Sequence, residues 1–427
     1  MKKVNKTVAV LLSVLMTFSF VGCSGLGDVE TKFNEALDAV ESWVDGLLGN
    51  ESEEEPPEEE EEEPEEKEIG KYLQTKATSA GRVTLDKESD CPADFVLEVS
   101  GDEPIKILQL TDTQMIDETQ VRKGNGAVST RYADHDNCIY DIVRQTVEAT
   151  DPDLILITGD YVYGDYDDNG SLFREQTDFF DSLGIYWAPI YGNHDNDSDS
   201  EYAVWIDEDY PDWYARKQCQ YFEQAEYCLF RTRAQISGYS NFSIAIEQGG
   251  EIVRSIVMFD THGSLQTTQE ITPAQMSWYK DTVKAINDYA GKTVKQFIGI
   301  HVPMHVFKVA LQEKYGELGY NDSPTNFTIP ENADGDCGAL INQGMSGHDK
   351  DLSQFNVFKE KGADAILAGH IHKVNTIVLY QGVRLVMGTK SSRYDKYNEE
   401  QLGGTIFTVT GEEYTVEHYY YTEATAE

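Results

Sequence analysis

From residue 105 onwards, short apolar runs alternate with amphipathic stretches. The runs "IKILQLTD" (105–112), "DLILITGD" (153–160) and "IYWAPIYGNHD" (185–195) are apolar at most positions and then turn polar. Runs of this kind predict strands buried on both faces. "SIVMFDTHG" (255–263), "KQFIGIHVPMH" (295–305) and "ADAILAGHIHKVN" (363–375) repeat the pattern. Between them, residues 137–150, 171–184 and 273–290 space their apolar positions as helices do. Two hairpins follow, over 375–389 and 404–421. Strand–helix alternation predicts an α/β layered fold, and the late hairpins make its sheet mixed or divide it in two. Residues 314–350 are rich in Gly, Asn, Asp and Pro and show no period. A loop of that length inside a domain is functional or disordered.

The chain before residue 70 has a different pattern. A basic "MKKVNK" precedes the apolar "TVAVLLSVLMTFSFV", which is short for a membrane span and predicts a secretory leader over 1–22. The run ends in "FVGCSG", where a small residue before Cys23 resembles a bacterial lipobox. Cys23 is therefore expected to carry lipid, placing the protein on the outer face of the cytoplasmic membrane or in the cell envelope. Within 23–50, Val29, Phe33, Ala36, Leu37, Val40, Val44, Leu47 and Leu48 share one helical face. The opposite face is acidic, which disfavours anionic lipid and favours packing on the domain or a partner. Residues 51–69 are mostly Glu and Pro and predict an extended, self-repelling spacer. The folded domain is expected over 70–427, with 314–350 as its specificity loop.

Composition narrows the partners. The formal net charge is −42 and the chain is 40% hydrophobic, enough for a sizeable core. No basic stripe tracks a phosphate backbone, so a nucleic-acid partner is not expected. A site that handles phosphate must supply its own local positive charge. Besides Cys23 there are five cysteines, of which Cys219 and Cys228 are spaced to close a small loop. No CxxC pair marks a zinc ribbon.

Five apolar runs end in metal-type donors: Asp112 and Gln114 in "LTDTQ", Asp160 in "ITGDYVYG", Asn193, His194 and Asp195 in "IYGNHD", His301 in "IGIHVPMH", and His370 and His372 in "LAGHIH". In open α/β sheets the carboxyl ends of strands line the ligand crevice. Asp, Asn and His bind divalent cations through oxygen and imidazole nitrogen. His135, His262, His305, His348 and His418 lack a motif, although His262 and His305 lie near strand ends.

The order of these blocks resembles the calcineurin-like metallophosphoesterase superfamily and, within it, the purple-acid-phosphatase-related branch. The resemblance implies a four-layer α/β/β/α sandwich with two mixed sheets and a two-metal site holding Mn, Fe or Zn. It implies that Asp112 and His372 ligate the first metal and that Asp160 bridges both. Asn193, His301 and His370 would hold the second. His194 would face the phosphoryl group, with Asp195 orienting its ring. Two cations would neutralise phosphoryl oxygens and activate a water. Gln114 stands where the family usually carries His. Three readings follow: its amide oxygen serves as a weak ligand, Tyr163 in "GDYVYG" takes its place, or the first site is impaired. The expected function is a membrane-tethered phosphoesterase acting on small phosphorylated substrates. A nucleotide or cyclic-nucleotide phosphodiesterase is the alternative, and a non-catalytic phospho-ligand binder is the alternative of another class.

Overall fold

The computed structural model describes residues 81–116, 121–122, 126–127, 136–164, 170–199, 215–263, 269–316, 326–345 and 352–422. All lie in one compact unit, Lys67–Glu427. The expected leader, lipid site at Cys23, amphipathic helix and spacer fall outside the described residues, as do His135, His348 and part of 314–350.

Two large sheets carry the domain. In chain order their strands are β1 (Val83–Leu85), β2 (Phe95–Val99), β3 (Ile105–Leu110), β4 (Leu154–Thr158), β5 (Tyr186–Ile190), β6 (Phe242–Gln248) and β7 (Glu251–Met258). They continue with β8 (Gln296–Gly299), β9 (Ala363–Ala368), β10 (Ile377–Tyr380), β11 (Val383–Met387), β12 (Gly403–Thr410) and β13 (Glu413–Tyr420). One sheet has eight strands in the order β1-β2-β6-β7-β8-β9-β11-β10, and the other has five, β13-β12-β3-β4-β5. Within the five-stranded sheet, β3, β4 and β5 run parallel. Within the larger one, β7, β8, β9 and β11 run parallel. The hairpins β10–β11 and β12–β13 are antiparallel, so both sheets are mixed as expected.

The sheets pack face to face through one core. Phe297 of β8 and Phe407 of β12 meet with ring centroids 5.0 Å apart. Arg254 of β7 lies between the sheets, fully buried, and donates to Asp364 Oδ1 at 2.8 Å and to the Glu412 carbonyl at 2.9 Å. Its guanidinium stacks 4.2 Å from the Phe297 ring centroid, so the buried cation is both paired and packed. Helix Pro273–Ala290 covers the outer face of the larger sheet, where Tyr279 packs edge-on against Phe358 of helix Ser353–Lys361 at 4.9 Å. Helix Ser171–Ser182 covers the smaller sheet through Phe180, which stacks on Trp187 of β5 at 5.5 Å. The result is the four-layer sandwich.

Local chemistry explains one boundary well. "TPAQ" starts the helix Pro273–Ala290: the Gln275 N–H donates to Thr272 Oγ1, and Gln275 Oε1 accepts from the Thr272 N–H at 2.7 Å. Such a capping box is worth ~1 kcal/mol. Two expectations need correction. The run 295–305 is not strand throughout, because helix His305–Tyr315 begins at its end and buries Val306, Phe307, Ala310 and Leu311 at helical spacing. The loop closed by Cys219 and Cys228 does not form: neither cysteine is in a disulfide, and Cys219 instead donates to Tyr191 Oη at 3.4 Å.

Candidate metal centre

The polar residues follow the carboxyl ends of parallel strands in both sheets. Asp112 and Gln114 follow β3, Asp160 follows β4 and Asn193 to Asp195 follow β5. His301 follows β8, and His370 and His372 follow β9. Four of these leave the strand in left-handed backbone conformations: Asp112 (φ 54°), Gln114 (φ 45°), Asp160 (φ 51°) and His370 (φ 74°). Strain of this kind costs roughly 1–3 kcal/mol per residue and persists where the surroundings enforce it. Two motif glycines keep the centre compact. Gly159 has φ 87°, and a Cβ there would stand 2.6 Å from His301 Nδ1. A Cβ on Gly369 would stand 2.8 Å from Asp112 Oδ2.

Two groups of donors converge and share Asp160. In Asp160, His301 and His370 the possible ligand atoms lie within 4.8 Å of one another, and the same holds for Asp112, Asp160 and His372. Asn193 joins the first group, with its Oδ1 3.1 Å from His301 Nε2. Backbone carbonyls fix two of the rings. His301 Nδ1 donates to the Thr158 carbonyl at 2.9 Å, turning Nε2 towards Asp160 Oδ2 at 3.1 Å. His372 Nδ1 donates to the Lys396 carbonyl at 2.9 Å, turning Nε2 towards Asp112 Oδ1 at 3.3 Å. Outer contacts of this sort orient imidazoles for a metal.

The electrostatics fit a cation pair. Burial raises the Asp112 carboxyl, but the hydrogen bond and charge of His372 outweigh it and hold the group well below the usual carboxylate range. Burial likewise raises Asp160, and the charges of His301 and His194 depress it further than burial lifts it. Burial lowers His301, yet Asp160 raises it to about 9. Its proton therefore neutralises Asp160 at the point where a cation would compete for the same lone pair. His370 is pushed down to about 3 by burial and the nearby His301 charge, leaving a neutral imidazole suited to ligation.

The neighbours of His194 differ from expectation. Its backbone N–H donates to Asp160 Oδ1 at 2.9 Å, and its side chain lines the cleft above the donors. Asp195 does not hold the ring. Its carboxylate accepts the backbone N–H groups of Gly192 at 2.7 Å and of Tyr161 and Val162 at 2.9 Å. The acid facing the His194 ring is Asp197, with Nδ1 and Oδ2 3.9 Å apart. Tyr163 packs its ring 3.8 Å from the His194 ring centroid.

A residue absent from the sequence reading completes the polar cluster. Lys390, just beyond β11, is buried, and its ammonium donates to the Asp112 carbonyl and to Gln114 Oε1, both at 2.8 Å. Burial pushes its pKa down to about 8 against the pull of Asp112, Asp395 and Asp160. "RLVMGTKSS" is another apolar run with a polar end, so the rule that located the other donors also applies to it. The cleft has a volume of about 260 Å³ and is lined by Asp160, His194, His370 and His372, with Gln343, Gly344, Asp395 and Lys396 around them. Gln343 and Gly344 come from the 314–350 segment. His262 lines a separate cleft of about 520 Å³ beside Arg216 and Ser237.

A search of curated proteins finds no match to the chain. Among solved structures, it is similar to a dimetal phosphatase from Danio rerio, with 10% identity over 74% of this chain and 100% of that chain, at a TM-score of 0.38. It is also similar to a purple acid phosphatase from yellow lupin (Lupinus luteus) seeds, with 11% identity over 76% of this chain and 54% of that one, at 0.38. A third is phosphopantetheinyl hydrolase from Mycobacterium tuberculosis, with 12% identity over 67% and 89%, at 0.28. The family model for calcineurin-like phosphoesterase matches residues 105–374. That span takes in every polar strand end from Asp112 to His372 and more than half of the chain, so the protein belongs to the calcineurin-like phosphoesterase family.

Proposed function

We propose that the protein is an exported, membrane-tethered phosphoesterase that hydrolyses small phosphate esters with two metal ions. The observation that carries this reading is the pair of buried donor groups sharing Asp160 beneath a cleft lined by His194. Asp112, Asp160 and His372 would hold one ion, and Asp160, Asn193, His301 and His370 the other. When bound, the ions supply positive charge to phosphoryl oxygens and activate a water for attack. The protein's own residues do the rest. Asp160, anchored by the His194 N–H, belongs to both donor groups and would be shared between the two ions. His194, on the wall of the cleft, would donate a proton to the leaving oxygen. The Thr158 and Lys396 carbonyls keep His301 and His372 in the tautomer that presents Nε2. Export and tethering rest on the leader over 1–22, Cys23 and the acidic spacer.

The test is Asp160→Asn. The variant should bind less metal and lose turnover of a generic aryl phosphate. Wild-type turnover by this variant would overturn the reading. Metal binding by the wild type without turnover of any phosphomonoester or phosphodiester would instead leave a phospho-ligand binder.

A further inference from the structure

Gln114 is fully buried, and both ends of its side chain are committed. Its oxygen accepts from Lys390 Nζ at 2.8 Å, and its NH₂ group donates to Asp160 Oδ2 at 3.1 Å. Amide oxygen and nitrogen are often interchangeable in a structure, but here the partner decides between them. An ammonium has only donors, so the atom it touches is the oxygen. The oxygen is also the only atom of a glutamine that can ligate a metal. Lys390 is fixed just as firmly, because the same ammonium donates to the Asp112 carbonyl, which also accepts from Ser392 Oγ at 3.0 Å. The turn after β11 thus clamps the backbone from which Asp112 and Gln114 project. It brings a lysine charge into a centre otherwise built from carboxylates, imidazoles and two amides.

We propose that Lys390 is a built-in cation of the metal centre. It holds Gln114 as a positioning residue for Asp160, off the metal, and makes the Asp112 subsite the weaker of the two. The inference rests on the two-metal reading above. It leaves the Asp112 subsite three protein ligands, Asp112, Asp160 and His372, beside a fixed positive charge. The other subsite keeps four, Asp160, Asn193, His301 and His370. Fewer ligands and like-charge repulsion act in the same direction.

The experiment is a calorimetric titration of the chelator-stripped full chain with Mn²⁺, comparing wild type with Lys390→Gln and Lys390→Met. The glutamine keeps donor capacity without charge, and the methionine removes both. Wild type should bind Mn²⁺ in two steps of different affinity, and the weaker step should tighten at least about tenfold in both variants. A weaker step that is unchanged or loosened, in a wild type that binds two ions, overturns the inference and leaves the two-metal reading standing. A wild type that binds no Mn²⁺ overturns that reading and the inference with it. A crystal structure of the Mn²⁺-loaded wild type is independent of how the variants fold. Gln114 Oε1 should remain on Lys390 Nζ, and an Mn²⁺ within bonding distance of that oxygen would overturn the assignment.

Discussion

Asp195→Asn separates two roles for one carboxylate. The resemblance to the family implies that Asp195 orients His194, whereas its two oxygens here accept backbone N–H groups from Tyr161, Val162 and Gly192. These donors belong to the turns after β4 and β5, so the carboxylate joins two strand ends of the centre. A buried N–H left without a partner costs ~1–3 kcal/mol. Alanine would strand three of them. Relief of repulsion with Asp160 offsets about 1 kcal/mol, for a net loss of about 2–8 kcal/mol. Asparagine keeps one accepting oxygen and turns an NH₂ group towards the remaining donor, for about 2–4 kcal/mol. Total stabilities of roughly 5–15 kcal/mol leave the asparagine variant folded and place the alanine variant at risk. Unfolding should be followed in urea at pH 8. At that pH the carboxylate is charged, even though burial and the Asp160 charge push its pKa up to about 7. A variant within about 0.5 kcal/mol of wild type, with kcat reduced more than about a hundredfold and KM unchanged, would refute the bracing role and restore Asp195 to His194.

Gly159→Ala should cost about 2–5 kcal/mol, because it combines a left-handed backbone with a contact 2.6 Å from His301 Nδ1, and should weaken Mn²⁺ binding. Normal stability and metal content would contradict that packing. His418 accepts from Thr405 Oγ1 and donates to the Asn375 carbonyl, and burial pushes its pKa down to about 4. Its folded pKa lies below the unfolded value, so its contribution of about 3 kcal/mol is present above pH 6.5 and is lost as pH falls towards 4. The stability difference between wild type and His418→Gln, measured from pH 7 to pH 4, should shrink by that amount, and a constant difference would count against it. For the tether, Cys23→Ala should move the protein from the membrane pellet to the soluble fraction, and an unchanged distribution would exclude lipidation there.

Much of the fold and most of the donor set were legible along the chain, because both depend on local rules. Buried strands need continuous apolar runs, and a crevice at strand ends needs polar residues just beyond them. "ILQLTD", "LITGD" and "LAGHIH" state both facts within a few residues. The capping box at Thr272 is equally local. The short strands β1 and β2 carry no such signal, and their pairing depends on partners distant in the chain, β2 lying beside β6. The switch from strand to helix at His305 was hidden because "IHVPMH" is apolar enough for either state, and only burial against the larger sheet's outer face decides.

Which donor meets which is a different kind of fact. Asp195 stands next to His194 in sequence, yet its carboxylate turns to the backbone and Asp197 faces the ring. Gln114 presents an unusual amide in the sequence, but its role depends on Lys390, which lies 276 residues further along the chain. Apolar periodicity and strand-end chemistry determined the alternation of strands and helices in this protein and the residues available to its metal centre. Only the tertiary structure decided how they pair, because hydrogen bonds in a buried site follow distance and direction in space, and strand order sets both.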